Sequence, residues 1–234
     1  MTAALEIENV RKNYSGLRPL RLNLLRVAEA ERVAVIGLDA AAAELFVNLV
    51  TGAALPDEGN VRTFGYATAE ISDGDAWLAT LDHFGIVSPR AVLLEDATVE
   101  QNLAMPFTLN IDPIPREVAM QLRELATECG IDQAMLEVPA GTLKGVMRAR
   151  VHLARAAALS PRLLLLEHPT ADVPEPDRRA LARNVVTVAE GKKLAAVALT
   201  MDPDFAEEFA HRALVLEPAT GALKPWKRRR GWFR

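Results

Sequence analysis

The order of apolar and polar positions predicts a strand, a glycine turn and a helix near the start of the chain. Residues 4–10 (ALEIENV) alternate as a half-buried strand does, and residues 33–37 (VAVIG) form an apolar, β-branched run of the kind found in buried strands. Residues 40–50 (AAAAELFVNLV) repeat apolar positions at spacings of three and four, which indicates a helix that Gly52 and Pro56 close. A strand, a glycine and a helix in this order are typical of a phosphate-binding site.

The remaining pattern predicts a helical insertion within an alternating α/β chain. Strand-like runs occur at residues 60–64, 84–87, 162–166, 194–200 and 213–216, and an amphipathic helix is predicted at 177–190. Residues 98–158 have mainly helical periodicity, interrupted by prolines at 106, 113, 115 and 139. Strands that alternate with helices favour a mainly parallel sheet, and the helical stretch is expected to form a subdomain inserted in it.

A phosphate loop has the pattern GxxxxGK[ST], in which backbone amides wrap the phosphates, the lysine reaches them and the hydroxyl binds Mg²⁺. The corresponding string here is GLDAAAAE, residues 37–44. Only Gly37 matches. Ala42 stands at the last glycine, Ala43 at the lysine and Glu44 at the hydroxyl residue. On its own this match carries no weight.

A longer resemblance begins at residue 143. The string LKGVMRARVHLARAAALSPRLLLLEHPTADVP resembles the block of ABC transporter cassettes that is usually close to LSGGQxxRVxxARAL…P..LLLLDEPTxxLD. IGLDAAAAELFVNLVTGAALPDEGNVRTFG and FGIVSPRAVLLEDATVEQNLAMP are similar to the phosphate-loop and Q-loop blocks of the same family. Three ordered blocks identify the chain as a member of this family, with a pattern nearest to bacterial lipoprotein-release, lipid-trafficking and macrolide-export cassettes.

The resemblance implies an α/β fold of the P-loop NTPase-like ABC type. We expect a mainly parallel sheet core with antiparallel N-terminal strands and an inserted helical subdomain. The implied division is a RecA-like core of residues 1–92 plus 159–223, a helical subdomain of residues 93–158, and a basic-aromatic tail of residues 224–234.

The resemblance also places the chemical positions of the family, and most are altered. Glu167 stands at the position of the Mg²⁺-holding aspartate and His168 at that of the water-polarising glutamate. These two residues are thus the candidate catalytic residues, both altered from the family pattern. An imidazole is able in principle to act as a base, but it reaches differently from a carboxylate. A lone histidine at such a place is more often simply partly buried.

Other family positions carry side chains that differ in hydrogen-bonding capacity. The Q-loop glutamine corresponds to Pro89 and the switch histidine to Met201, whereas the signature keeps only Leu143 and Gly145 around Lys144. Lys144 is placed either to reach a phosphate held by a partner subunit or to be an ordinary solvated lysine.

A base-stacking tyrosine follows the first strand in this family, and Tyr14 stands there. Stacking contributes about 0.5–1.5 kcal/mol. The missing lysine and the carboxylate of Glu44 weaken the free energy of phosphate binding by roughly several kcal/mol. We therefore expect weak or absent binding of ATP and Mg²⁺, and no other metal site.

The altered positions predict a degenerate subunit with a scaffolding or regulatory role, whose ATP hydrolysis is absent or very weak. The implied partners are an integral membrane permease, contacted near residues 89–96, an intact ABC ATPase, and a second copy or homologue in a dimer. Two alternatives stay open: an active but unconventional ATPase that uses Glu167 and His168, and a soluble binding module that reuses the nucleotide cleft.

Charge distinguishes the end of the chain from the rest. The net charge is −4, yet the last eleven residues hold six of the 27 basic groups and no acid. Trp226, Trp232 and Phe233 interleave with these cations, a composition that suits contact of residues 226–234 with a membrane surface. A disordered solubilising end is the alternative, and the acidity of the remaining chain makes nucleic acid a poor partner.

The cysteine and histidine residues help to predict the cellular location of the protein, but they do not indicate a metal site. A single cysteine, Cys129, permits no internal disulfide, and the N-terminus lacks the order of a secretory signal. A cytoplasmic protein, peripheral to the inner membrane, is expected. His83, His152 and His211 have no metal-ligand spacing with one another or with Cys129.

Overall fold

A computed structural model describes residues 3–16 and 18–227. The strands in chain order are β1 (Ala3–Lys12), β2 (Leu20–Ala28), β3 (Arg32–Ile36), β4 (Glu58–Thr63), β5 (Tyr66–Ala67), β6 (Phe84–Val87), β7 (Leu163–Glu167), β8 (Ala195–Thr200), β9 (Arg212–Glu217) and β10 (Ala222–Pro225). The helices are α1 (Ala40–Thr51), α2 (Gly74–Leu81), α3 (Val99–Ala104), α4 (Arg116–Glu128), α5 (Gly145–Ala157), α6 (Glu175–Gly191) and α7 (Pro203–Phe209).

A six-stranded, mainly parallel sheet forms the centre, with strand order β10-β9-β3-β8-β7-β6. β3 pairs in parallel with β8 and β9, so that Val35 lies opposite both Leu199 and Leu214. Only β10 runs antiparallel to its neighbour. The central strands β3, β7 and β8 are buried along their full length. This explains why their sequences are continuous apolar runs rather than alternating ones.

A second sheet is antiparallel and has the order β2-β1-β4-β5. β1 pairs with β2 through, for example, Ile7 opposite Leu25, and with β4 through Ile7 opposite Val61. The predicted α/β class, with a parallel core and antiparallel N-terminal strands, is therefore confirmed.

Two apolar cores lie on the two faces of the central sheet. β3 directs Val33 and Val35 into the core shared with α1 and the antiparallel sheet. The alternate residues Ala34 and Ile36 enter a second core, which contains residues of α3 to α7. The helical insertion thus packs as one unit with a face of the sheet. The domain boundaries given above remain predictions.

The pattern-based elements agree with the structure to within a few residues, and several elements were not predicted. β2, β5, β10, α2 and α7 had no assignment, and residues 98–158 contain three helices with irregular connections. β2 lacks strict alternation, since its exposed Leu24 interrupts the polar face. Short elements such as α7 contain too few residues to show a period.

The C-terminal segment is partly taken up by the fold. Residues 224 and 225 belong to β10, and the partly buried Trp226 packs on the second core while its backbone N–H donates to Ala213 (2.8 Å). Residues 228–234, with Trp232 and Phe233, lie outside the described part of the chain. Among the helices of the described residues, none combines the length and apolar character of a bilayer-spanning segment.

Candidate functional site

The turn between β3 and α1 has the backbone course of a phosphate site but is closed by its own side chain. Gly37 has φ +105°, and a side chain there would lie 3.3 Å from the backbone oxygen of Leu216. Asp39 then caps α1, since its carboxylate accepts a hydrogen bond from the backbone N–H of Ala42 (2.8 Å). The first amides of a helix are the groups that attract an anion. Here one of them already holds a carboxylate.

The alanines of this turn are part of the core. Ala42 is buried and Ala43, at the lysine position, is 0% exposed within the core beneath α1. These residues form the first turns of α1 as predicted. No amine stands at this position to reach a phosphate.

An arginine joins the two acidic positions of the site. The Arg90 guanidinium forms an ion pair with Glu44 through Nη1 and with Glu167 through Nη2 (2.8 Å to Oε2). Its Nε donates to Ser88 Oγ (3.3 Å). Glu167 ends β7 and its side chain is only 3% exposed, whereas the side chains of Arg90 and Glu44 are about half exposed (46% and 45%). The sequence pattern did not identify Arg90 as a site residue, because a single basic residue in a loop after Pro89 contributes no periodic signal.

His168 lies beside this cluster in a strained backbone conformation. Its φ is +43°, and its backbone N–H donates to Leu199 (2.9 Å). The ring atom Nε2 is buried and has no hydrogen-bond partner among the described residues. His168 lines a cavity of about 60 Å³ together with Pro89, Gly145 and His152. A base needs a proton within hydrogen-bond reach, and this nitrogen has no partner of that kind among the described residues.

His152, on the wall of this cavity, is held neutral. Burial is the main cause, and the nearby guanidinium groups of Arg148 and Arg155 add to it, so that the pKa of His152 falls to about 4. The imidazole is therefore uncharged at neutral pH, and it adds no positive charge to the cavity.

The signature and switch positions are distributed around the cleft. Gly145 begins α5 with φ +53° and packs closely on Pro174. A Cβ atom at position 145 would lie only 3.0 Å from the proline ring. Lys144 is exposed and its side chain does not cap α5, while Leu143 is buried in the core. Met201, after β8, is 62% exposed and lines neither of the two cavities described at this site.

Tyr14 borders a separate cavity of about 390 Å³. Gly37, Asp39, Ala42 and Arg18 line it together with the ring. Partial burial and the negative charge of Asp39 raise the pKa of the Tyr14 hydroxyl above its usual value. The structure thus brings Tyr14, Gly37 and Ala42 to one cavity and Pro89, Gly145, Glu167 and His168 to another.

These contacts test whether Mg²⁺ and ATP, which the family resemblance implies, fit the residues present. Asp39 places a negative charge at the amides that a phosphate needs, and the carboxylates of Glu44 and Glu167 are engaged by Arg90. A phosphate would meet Asp39, and a metal would have to displace a guanidinium. The donor set does not fit a nucleotide-bound metal.

Comparisons with known proteins agree with the fold. A sequence family described as "ABC transporter" matches residues 22–171. The "Fe(3+) ions import ATP-binding protein FbpC" of Mesorhizobium japonicum is 28% identical over 91% of this chain and 57% of its own length. The "Lipoprotein-releasing system ATP-binding protein LolD" of Chromohalobacter salexigens is 29% identical over 85% of this chain and 82% of its own. The chain thus spans well under two thirds of the iron-import relative.

Solved structures show the same architecture at low identity. CbiO1 from Clostridium perfringens, described as part of the ABC transporter complex cbiONQ, has a TM-score of 0.77 at 19% identity and covers 92% of this chain and 85% of its own. The dimeric bacterial ABC transporter cassette MJ0796 has a TM-score of 0.75 at 21% identity over 96% of this chain and 99% of its own.

Proposed function

The chain belongs to the ABC transporter family, and we propose that it acts there as an ATP-binding-type subunit whose ATP hydrolysis is lost and whose role is scaffolding or regulatory. The observation that carries the proposal is the ion-pair cluster of Glu44, Arg90 and Glu167. In it the carboxylates at the positions that should hold Mg²⁺ are engaged by a cationic side chain of the same subunit.

Catalysis is opposed at each step that the residues would have to perform. Asp39 meets the phosphate with a carboxylate, and Ala43 supplies no positive charge. His168 replaces a positioned carboxylate base, whose loss costs roughly 10²–10⁴-fold in rate. Each deficit alone weakens turnover, and together they oppose stabilisation of the charge of a transferred phosphate.

The surface beside the cluster favours a membrane permease as partner. Val92 is 74% exposed and Leu94 is also exposed, immediately after Arg90. Ile86, Ala91 and Leu159 border an open groove of about 340 Å³ next to them. Exposed apolar side chains around a groove are typical of a protein interaction site. Relatives named as import and lipoprotein-releasing ATP-binding proteins support a place in a transport complex.

Within such a complex we assign the energy supply to a separate, intact ABC ATPase and the location to the cytoplasmic face of the inner membrane. A dimer with that ATPase, or with a second copy, is part of the same proposal. The solved dimer of a related fold supports it.

The cavity at Tyr14 favours one other function, a module that binds a ligand on the old nucleotide cleft. Its volume of about 390 Å³ is within the usual range for small-molecule sites. A nucleotide titration with and without Mg²⁺ separates the two. Mg²⁺-independent binding of a ligand, without any membrane partner, would favour the module.

The test of the main proposal combines an ATPase assay with isolation from membranes. The purified chain is expected to show no Mg²⁺-dependent ATP hydrolysis above background, and to co-purify with an integral membrane subunit. Val92→Glu should weaken that association, because it places a charge in the apolar surface, whereas Leu109→Glu, at a fully exposed leucine elsewhere, should not. Robust ATP hydrolysis that His168→Ala abolishes would refute the proposal.

A further inference from the structure

Arg90 connects three separate parts of the fold. It lies in the loop after β6, its Nη1 pairs with Glu44 of α1, and its Nη2 donates to Glu167 at the end of β7 (2.8 Å). Within its own loop, its backbone N–H and Nε both donate to Ser88 Oγ (3.2 and 3.3 Å). The guanidinium is planar with donors on two edges, so one arginine is able to engage two carboxylates at once.

Burial makes this contact necessary for Glu167. Its side chain is 3% exposed, and the described residues offer its carboxylate no other hydrogen bond than the one from Arg90. A buried carboxylate without a partner is strongly disfavoured, and two carboxylates that face each other across one guanidinium would repel. In the folded protein the guanidinium of Arg90 supplies the positive charge between Glu44 and Glu167.

We propose that Arg90 is a permanent internal cation of this cleft, which takes the place of a nucleotide-bound metal and fixes the loop of residues 88–96 to α1 and β7. The loop keeps one conformation whether or not nucleotide is present. The inference deepens the proposed function and rests on it for the identity of the partner. The same loop carries the exposed Val92 and Leu94, which together form the docking surface for the permease.

Further contacts carry the restraint along the loop. The backbone N–H of Ala91 donates to Ser88 (3.0 Å), and Arg155 of α5 donates to the carbonyl of Val92 (2.6 Å). The side chain of Asn102 of α3 then holds both the N–H and the carbonyl of Leu94 (2.9 and 3.0 Å). Each apolar side chain of the docking surface is thus adjacent to a backbone group held by another element.

A specific consequence follows for divalent cations. In the wild-type chain the guanidinium of Arg90 already occupies both carboxylates, so a metal ion has to displace this tethered group. When the positive charge of Arg90 is removed, Glu44 and Glu167 provide carboxylate oxygens from two sides, which is the ligand type that Mn²⁺ and Mg²⁺ prefer. The variant Arg90→Gln should therefore acquire a metal site that the natural chain lacks.

The experiment uses the purified full chain, Mn²⁺ as the probe and hydrogen exchange of residues 88–96 as the second readout. Arg90→Gln should bind Mn²⁺ at least about tenfold more tightly than wild type, and Arg90→Gln/Glu44→Gln should lose this gain. Without metal, Arg90→Gln should exchange faster at 88–96. Mn²⁺ should restore the slow exchange, because the amide oxygen that the substitution places at position 90 is able to join Glu44 and Glu167 as a ligand and to tie the loop to them. A merely structural role of Arg90 would not allow this rescue by an ion.

Two further variants keep the test decisive. Arg148→Gln removes another cation from the same cleft, one whose ion pair with Glu95 is long (3.9 Å). This variant should gain no Mn²⁺ affinity. Arg90→Lys keeps a positive charge and should behave as wild type in metal binding. This variant provides the test if Arg90→Gln does not fold.

Several outcomes would overturn the inference. The first is binding of Mn²⁺ by wild type as tight as by Arg90→Gln, and the second is exchange at 88–96 that Arg90→Gln leaves unchanged. The third is a failure of Mn²⁺ to restore slow exchange in this variant. If Arg90→Gln does not fold, binding of Mn²⁺ by Arg90→Lys would overturn the inference instead. Failure of the wild-type chain to co-purify with a membrane subunit, with these results as expected, would count against the proposed function alone.

Discussion

Replacing Asn102 by alanine tests how the loop that carries the docking surface is held. Asn102 lies in α3 and is 0% exposed. Its Oδ1 accepts from the N–H of Leu94 (2.9 Å), and its Nδ2 donates to the carbonyls of Leu94 and Thr98 (both 3.0 Å). A third, longer contact reaches Ala97 (3.4 Å). One side chain thus holds the loop against the start of a helix.

The magnitude follows from these contacts. Three good hydrogen bonds at about 1 kcal/mol each give a loss of about 3 kcal/mol in the free energy of unfolding. The N–H of Leu94 loses its only hydrogen bond among the described residues, while the carbonyl of Thr98 keeps the helical bond from the backbone of Asn102 (3.0 Å). Domains of this kind have about 5–15 kcal/mol of stability, so the variant should remain folded.

Urea unfolding measures the loss, and hydrogen exchange locates it at residues 94–98. The transition midpoint should fall without a change in the slope of the free energy against urea. Gln121→Ala, at an exposed position of α4, is the matched control and should change stability by less than about 0.5 kcal/mol. A loss below about 1 kcal/mol for Asn102→Ala, or faster exchange spread evenly over the chain, would refute the reasoning.

Three other predictions concern the site. Because the pKa of His152 is lowered to about 4, the unfolded chain binds a proton there between about pH 6.5 and 4 that the folded chain does not, so stability falls as pH decreases through this window. The expected loss in the free energy of unfolding is about 1–2 kcal/mol after allowance for partial exposure. Unfolding curves at pH 7 and 4.5 should show a smaller loss in His152→Gln than in wild type, and an unchanged loss in the control His83→Gln. Ala43→Lys should not restore ATP binding in a titration and should cost about 2 kcal/mol or more, because it overpacks the core and buries an ammonium group; tighter ATP binding without loss of stability would contradict this. Asp39→Ala should lower stability by about 1 kcal/mol through loss of the helix cap, whereas Asp39→Asn, which still caps, should differ from wild type by only a few tenths, and equal losses in the two would argue against the cap.

Much of the fold was predictable because its strongest signals are local. The apolar runs of β3, β7 and β8 are continuous since both faces of these strands are covered, and α1 shows apolar spacings of three and four along its length. The motif blocks predicted the α/β class, and the family match confirms the family. Short or irregular elements such as β2 and α7 escaped, because their burial depends on neighbours rather than on a repeating pattern.

The candidate site was predictable only as a set of substitutions. Ala43, Glu44, Glu167 and His168 were recognised as departures from a phosphate site, and their catalytic and binding roles remain predictions. Arg90 was missed. No rule of spacing links it to Glu167, which lies 77 residues away in the chain.

The amino-acid order thus specifies which segments become strands and helices, and in what succession, because side-chain periodicity and turn residues act over a few neighbours. The pairing of charges in the cleft depends instead on how β6, β7 and α1 come together in space. A carboxylate buried at a strand end accepts whichever cation the packed chain places within about 3 Å of it, and here that cation is Arg90.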